Sequence, residues 1–202
     1  MARRIILAIA ALALAAIQSG HAQAAGAQRG IVRVVIETER GNIDVALDSA
    51  HAPRTVTNFL KYVDAGAYTN GKFHRTVTPA NQPTSSVLIE VIQAGADPSR
   101  GAMFAPIELE RTSDSGLHHR DGTISMARAG PNTATSDFFI CIGDQPALDF
   151  GGRRNSDGQG FAAFGQVSRG MDIVRAIQRL PANGQTLTPP VRILGIHRQA
   201  AR

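Results

Sequence analysis

The 202-residue chain has one cysteine, Cys141, and one long hydrophobic run, which lies at its amino terminus. A single cysteine excludes an internal disulfide, so the fold has no covalent cross-link to rely on. Cys141 lies within the apolar run over residues 138–142, where a buried, unreactive thiol is expected. No stretch after the first run is apolar for long enough to cross a bilayer.

Clusters of positive charge are also lacking. The formal net charge is +5 at neutral pH. Arg3 and Arg4 supply two of these charges, and the remaining basic residues are scattered among acids. There is no basic run interleaved with aromatic residues, a pattern typical of nucleic-acid-binding proteins. The sequence therefore predicts no nucleic-acid partner.

The amino terminus has the features of a secretory signal peptide. Arg3 and Arg4 give a positive start, residues 5–17 form an uncharged apolar run, and Ala22-Gln23-Ala24 offers small residues for cleavage. The sequence predicts a signal peptide over residues 1–24, secretion to the periplasm and no stable membrane insertion after cleavage. An uncleaved anchor is the alternative, although the run is short for a spanning helix.

Removal of 24 residues from 202 leaves 178, which fits one domain able to bury its own core. We expect a flexible segment over residues 25–30, a single domain over residues 31–198 and a short tail over residues 199–202. The domain is expected to be a monomer.

Most of the remaining sequence is typical of short β-strands. Apolar residues alternate over residues 32–36 and 43–47, on either side of the turn Glu39-Arg40-Gly41, which predicts a β-hairpin. Further strands are predicted at residues 72–77, 87–93, 104–109, 123–127, 138–142, 161–167 and 191–197. So many short strands favour a sandwich or a barrel.

Two segments have helical spacing instead. After Pro53, residues Val56, Phe59, Leu60 and Val63 fall on one face, and a glycine follows. Residues 171–177 carry a second apolar face, which ends before a proline. A closed barrel with these helices over its open ends would bury both faces and leave no sheet edge.

Two polar segments suggest binding chemistry only weakly. Residues 151–160 are rich in Gly, Asn, Ser and Asp but lack the Gly-Lys-Ser or Gly-Lys-Thr ending of a phosphate-binding loop, so a mobile surface loop is expected. His118 and His119 are adjacent, and neighbouring strand residues point to opposite sides. We therefore expect a solvated turn there, with no metal site and no cofactor.

Five segments recur in the order that is typical of the cyclophilin family: Phe73-His74-Arg75, Gln93, Gly-Thr-Ile-Ser-Met-Ala at residues 122–127, Ser-Asp-Phe-Phe-Ile at 136–140 and Phe-Ala-Ala-Phe-Gly at 161–165. The chain thus resembles this family of peptidyl-prolyl cis-trans isomerases. The resemblance implies a mainly β fold, a closed antiparallel eight-stranded barrel capped by two α-helices.

The resemblance also implies the roles of six residues. Arg75 matches the catalytic arginine, and a guanidinium suits this role because its charge is permanent and its donors have fixed directions. The matching substrate-binding positions are Gln93, Ala127, Phe139, Leu148 and Phe161. They imply an apolar groove that holds a substrate proline.

Several positions depart from the family pattern. Arg75 and Gln93 are 18 positions apart, more than twice the usual spacing, which predicts an insertion at residues 78–86 that forms a flap over the groove. Glu90 falls where a pocket phenylalanine is expected, Ala147 where many members have an aromatic residue, and Asp137 where glutamine is common. Slow turnover or a narrow substrate range would follow.

The resemblance, together with the predicted signal peptide, implies an isomerase that acts on X-Pro bonds in exported proteins, with proline-containing polypeptides as its partners. Two alternatives stay open at this point. One is a non-catalytic module that only binds proline-containing segments, which Glu90, Ala147 and the insertion after Arg75 suggest. The other is a barrel that encloses a small ligand, which an interior filled by side chains would exclude.

Overall fold

The computed structural model describes residues 30–100 and 102–200. The predicted signal peptide, residues 25–29 of the predicted flexible segment and the last two residues of the predicted tail lie outside this part of the chain. Among the described residues, no helix is both long and apolar enough to span a membrane.

Strands form most of the described domain: β1 Ile31–Thr38, β2 Gly41–Asp48, β3 Lys72–Val77, β4 Val91–Gly95, β5 Thr123–Met126, β6 Phe138–Cys141, β7 Ala162–Arg169, β8 Ala182–Asn183 and β9 Thr186–Arg198. Eight of them form an antiparallel ring in the order β1-β2-β7-β5-β6-β4-β3-β9, and β9 pairs back to β1. The two-residue β8 pairs only with β9. The predicted closed eight-stranded barrel is therefore confirmed.

Three α-helices accompany the barrel: α1 Pro53–Asp64, α2 Thr112–Ser115 and α3 Met171–Gln178. Helix α1 packs against β2, β7 and β9, and α3 packs against β2, β3 and β4. These are the two predicted helices. The single-turn α2 was not predicted, because four residues of Thr, Ser and Asp carry no apolar face.

The barrel interior is filled by side chains. Large residues without solvent exposure include Ile36, Ile43, Leu47, Phe59, Phe73, Ile92, Ile124, Phe138 and Phe164. The ring of Phe59 contacts those of Phe138 and Phe164, with centroids 5.6 Å and 5.3 Å apart. This filled interior excludes the ligand-enclosing barrel.

A second, smaller apolar cluster lies on the outer side of β4 and β6. Successive strand residues face opposite sides of a sheet. Ile92 and Ile140 therefore belong to the interior core, whereas Val91, Phe139 and Cys141 belong to the outer cluster. The buried cysteine was predicted. The outer cluster forms the base of the groove described below.

One strand prediction was wrong, and another placed the start of its strand too early. Residues 104–109 form no strand, since Pro106 has no N–H to donate, and the segment makes an isolated bridge between Ile107 and Ala134 in place of a ladder. The strand expected over residues 87–93 begins only at Val91. Before it, the Val87 carbonyl accepts a hydrogen bond from Ser85 Oγ, and the Ile89 N–H donates to Gln82 Oε1, so side chains take these backbone groups in place of a neighbouring strand.

Candidate active site

A groove of about 820 Å³ lies on the outer face of the barrel. It is lined by all six residues that the family resemblance implicates: Arg75, Gln93, Ala127, Phe139, Leu148 and Phe161. They come from β3, β4, the end of β5, β6, a short 3-10 helix at Pro146–Leu148 and the start of β7. The strand order places β4 and β5 on either side of β6, which brings these positions together.

Arg75 is held by two glutamine side chains. Its Nε and Nη2 donate to Gln185 Oε1 at 2.9 Å and 2.6 Å, and its Nη1 donates to Gln93 Oε1 at 2.8 Å. A guanidinium has five N–H donors, so these three bonds leave two for a substrate. The two glutamines therefore fix the direction of the guanidinium without using all its donors.

The charge of Arg75 is not neutralised by a neighbouring acid. None of the ion pairs formed by the described residues includes Arg75. Burial lowers the pKa of Arg75, and the like charge of Arg154 lowers it further. The guanidinium remains protonated, because its ordinary pKa lies far above neutral pH. The groove thus contains a positive donor whose partners are neutral.

An apolar floor lies beside this donor. The rings of Phe139 and Phe161 meet edge to face, with centroids 5.3 Å apart. Leu148 is buried, and its carbonyl accepts the Phe161 N–H at 3.0 Å. Ile89 and Val91 complete the floor. Such a surface excludes water and fits the ring of a proline.

A buried hydrogen-bonded chain supports the floor from below. His119 stacks on Phe139 at a centroid distance of 5.9 Å. Its Nδ1 donates to Asp149 Oδ1 at 2.6 Å, and its Nε2 lies 2.9 Å from Ser125 Oγ. Burial alone would raise the pKa of Asp149, but hydrogen bonds from His119 and His118 outweigh it and the net pKa is lowered.

The prediction of a solvated turn at His118 and His119 was therefore wrong for His119, which is 1% exposed. The segment is not a strand, so both rings reach the same carboxylate of Asp149. The Ser125–His119–Asp149 order is also that of a hydrolase triad. Ser125 is 0% exposed, however, so its hydroxyl cannot attack a substrate.

The predicted insertion forms one rim of the groove. It contains a short 3-10 helix at Pro79–Asn81, and residues 81–85 line the groove. Gln82 is buried, accepts the Ile89 N–H at 3.3 Å and donates to the Ile89 carbonyl at 2.8 Å. These bonds fix the segment beside the groove.

The loop over residues 151–160 forms the adjoining rim. Arg154 Nη1 donates to Ser85 Oγ at 2.8 Å and to the Val87 carbonyl at 2.7 Å, which joins the loop to the insertion. Arg128 binds Asp157 through two hydrogen bonds of 2.8 Å and 3.0 Å. The loop lies at the surface as predicted, and these bonds hold it at several points.

The departures from the family pattern have clear structural outcomes. Glu90 does not line the groove; it accepts a hydrogen bond from Gln178 Nε2 at 2.9 Å. Ile89 supplies the apolar wall that Glu90 cannot. Ala147 packs against the outer cluster, and its carbonyl accepts the Arg154 N–H at 3.1 Å. Asp137 lines the groove, 3.4 Å from Gln93 Nε2.

Sequence reasoning missed Ile89, Arg154 and Gln185. Ile89 could have been found, since it lies two positions before Val91 in an apolar stretch. Arg154 and Gln185 gave no such signal, because they contact groove residues 69 and 110 positions away. Among the described residues, no group of three or more His, Cys, Asp or Glu side chains could hold a metal ion.

Comparisons with known proteins agree with this geometry. Residues 33–198 match the family described as cyclophilin type peptidyl-prolyl cis-trans isomerase/CLD. Peptidyl-prolyl cis-trans isomerase A of Dickeya dadantii is 36% identical over 148 residues, which cover 73% of this chain and 71% of that protein. Peptidyl-prolyl cis-trans isomerase B of Escherichia coli is 33% identical over 147 residues, covering 72% and 83%.

The fold is also that of a solved structure. The crystal structure of a cyclophilin type peptidyl-prolyl cis-trans isomerase from Cryptosporidium parvum superimposes with a TM-score of 0.67. The match covers 85% of this chain and 99% of that one, at 23% sequence identity. Together, the matched sequence and fold show that the chain belongs to the cyclophilin-type peptidyl-prolyl cis-trans isomerase family.

Proposed function

We propose that this isomerase turns X-Pro peptide bonds in its outer groove and that Arg75 is the catalytic residue. The observation that carries the proposal is the setting of Arg75. Its guanidinium shares one groove with an apolar floor, is held by two neutral glutamines and keeps donors free. No cofactor is needed for this reaction, because no bond is made or broken.

The catalytic problem is amide resonance. Rotation about a peptide bond meets a barrier of about 18–20 kcal/mol, because resonance gives the C–N bond partial double-bond character. A donor directed at the prolyl nitrogen favours a pyramidal nitrogen, which weakens this resonance. We assign this donation to Arg75, because its guanidinium lines the groove beside the apolar floor and keeps two N–H donors free.

The rest of the groove holds the substrate while one side turns. We assign the proline ring to the floor of Phe139, Leu148 and Phe161, and the flanking backbone to Gln93 and Ala127. A charge-assisted hydrogen bond of about 1.5–3 kcal/mol accounts for only about ten- to a hundredfold in rate. Desolvation and orientation in the groove supply the remainder.

A protease-coupled assay on a proline-containing peptide tests the role of Arg75. We expect Arg75→Ala to lower kcat/KM by about ten- to a hundredfold, because the donor is lost. Arg169→Ala is the matched control, since Arg169 lies at the far end of β7 and pairs with Asp44. Equal activity of wild type and Arg75→Ala would refute the assignment, and peptide binding without acceleration would favour the non-catalytic module.

We further propose that the clients are exported proteins and that the enzyme works in the periplasm. The support is the sequence of the first 24 residues, with two arginines, an apolar run and an Ala-Gln-Ala site. Unfolded chains that arrive in that compartment carry X-Pro bonds as mixtures of isomers that exchange over tens to hundreds of seconds. An exported isomerase would shorten that delay.

A further inference from the structure

The groove has an excess of positive charge. Its charged lining residues are Arg75, Arg128, Arg154 and Asp137. The charge of Arg128 is paired with Asp157, and its side chain also donates to the Gly160 carbonyl. Asp137 lies near His74, at 3.8 Å, and near Gln93. Arg75 and Arg154 are left without a carboxylate partner among the described residues.

Arg154 presents an unused edge. Its Nη1 donates to Ser85 Oγ and the Val87 carbonyl, and its backbone N–H donates to Ala147. Its Nε and Nη2 have no hydrogen-bond partner in the described part of the chain. These two donors form the fork that binds a carboxylate through two parallel hydrogen bonds.

The position of Arg154 is fixed before any ligand binds. Two hydrogen bonds from one nitrogen join its side chain to the insertion, and a third joins its backbone to the residue before Leu148. Burial lowers the pKa of Arg154, and its charge in turn lowers that of Arg75. An anion beside Arg154 would relieve this repulsion.

We propose that Arg154 is a specificity-determining residue that selects substrates with an acidic side chain next to the proline. This inference rests on the proposed function, since it assigns a further subsite to the same groove. The carboxylate of a Glu or Asp residue would bind the free edge of Arg154 while the proline lies on the apolar floor. A basic residue at the same position would be disfavoured by Arg154 and Arg75.

The test compares matched peptides that differ in one charge. Ala-Glu-Pro-Ala and Ala-Pro-Glu-Ala, with Gln and Lys counterparts, place the acid before or after proline. NMR exchange spectroscopy gives kcat/KM for each, corrected for the uncatalysed rate, and avoids the sequence preference of a coupling protease. At low salt, we expect kcat/KM for one of the two Glu peptides to be about fivefold higher than for its Gln counterpart. The kcat/KM of the matching Lys peptide should be lower than that of the Gln peptide. High salt should reduce the difference.

Two variants with the same change of charge locate the effect. In Arg154→Gln, the ratio of kcat/KM for the Glu peptide to kcat/KM for the Gln peptide should be close to one. Arg153→Gln should have the same ratio as the wild type, because the exposed Arg153 does not line the groove. Equal ratios in wild type and Arg154→Gln would overturn the inference, as would equal rates for Glu and Gln peptides in an active enzyme. Failure of the wild type to accelerate any peptide would instead overturn the proposed function, and the inference with it.

Discussion

Arg75 is oriented by the amide groups of two glutamines and not by a carboxylate, and this difference determines whether its positive charge is neutralised. A carboxylate would hold the guanidinium more tightly but would also neutralise its charge. Gln185 Oε1 accepts two of its N–H groups and Gln93 Oε1 accepts a third. The arginine is thereby positioned while its charge is not neutralised.

The free energy of unfolding should depend on the protonation of Asp149. Its pKa is lowered in the folded state by the bonds from His119 and His118, which outweigh the effect of burial. Its contribution to stability is therefore complete above the ordinary carboxyl pKa of about 3.9 and is lost as the pH falls through the lower folded value. We expect Asp149→Asn to lose about 1–3 kcal/mol at pH 7.

Urea unfolding of wild type and Asp149→Asn between pH 2 and 7 measures this effect. The difference between the two proteins should shrink below about pH 4. Asp172→Asn is the control, because Asp172 is exposed and should leave the pH profile unchanged. A difference that stays constant over the whole range would contradict the assignment.

At the scale of elements, helix α1 positions one side of the groove. Its Asn58 donates to the Thr135 carbonyl at 2.7 Å, two residues before Asp137. The helix has no cap from its own N-cap residue, Ala52. Instead the carboxylate of Glu110 accepts the N–H groups of Arg54 and Thr55 at 3.0 Å and 2.7 Å. A distant acid thus satisfies the amino terminus of the helix.

Removal of this cap should destabilise the protein. We expect Glu110→Ala to lower the free energy of unfolding by about 1–2 kcal/mol, since it exposes two N–H donors and removes a negative charge from the positive end of α1. Glu108→Ala is the control, because its ion pair with Arg54 involves a side chain that is 71% exposed. Equal midpoints in urea for both variants would contradict the capping role.

Elements with a strong local pattern could be predicted from sequence. The hairpin of β1 and β2 and the faces of α1 and α3 follow from alternation and helical spacing, and the structure confirms them. Residues 104–109 have a similar pattern but no strand, because Pro106 lacks an N–H for a ladder and the local sequence does not specify a pairing neighbour. Gln185 and Arg154 could not be predicted, since only the tertiary fold brings them to the groove.

At the scale of the whole molecule, the closed barrel places the residues of the main core on its inner face and the residues that line the groove outside it. The filled interior stabilises the domain, whereas the groove lies outside it, on β4, β6 and the adjoining loops. Each of the eight ring strands has a neighbour on both sides. Substitutions in the rim of the groove should therefore leave the core undisturbed.

Export should lower the mass of the protein, because the predicted signal peptide is removed. When the full chain is expressed in a Gram-negative host, we expect a periplasmic product that begins at Ala25, because cleavage should follow Ala24. Leu14→Arg, which places a charge in the apolar run, should keep the chain uncleaved and in the cytoplasm. A wild-type chain that remains intact in the cytoplasm would contradict the proposed location.

Catalysed exchange of a proline peptide, followed by NMR on both molecules, tests the central claim most directly. With wild type, we expect cis–trans exchange peaks of the peptide together with line broadening at Gln93, Ala127 and Phe139. With Arg75→Ala, the peptide should still shift the groove resonances, but the exchange peaks should weaken by about ten- to a hundredfold. Undiminished exchange in Arg75→Ala, or shifts confined to another face of the barrel, would contradict the account.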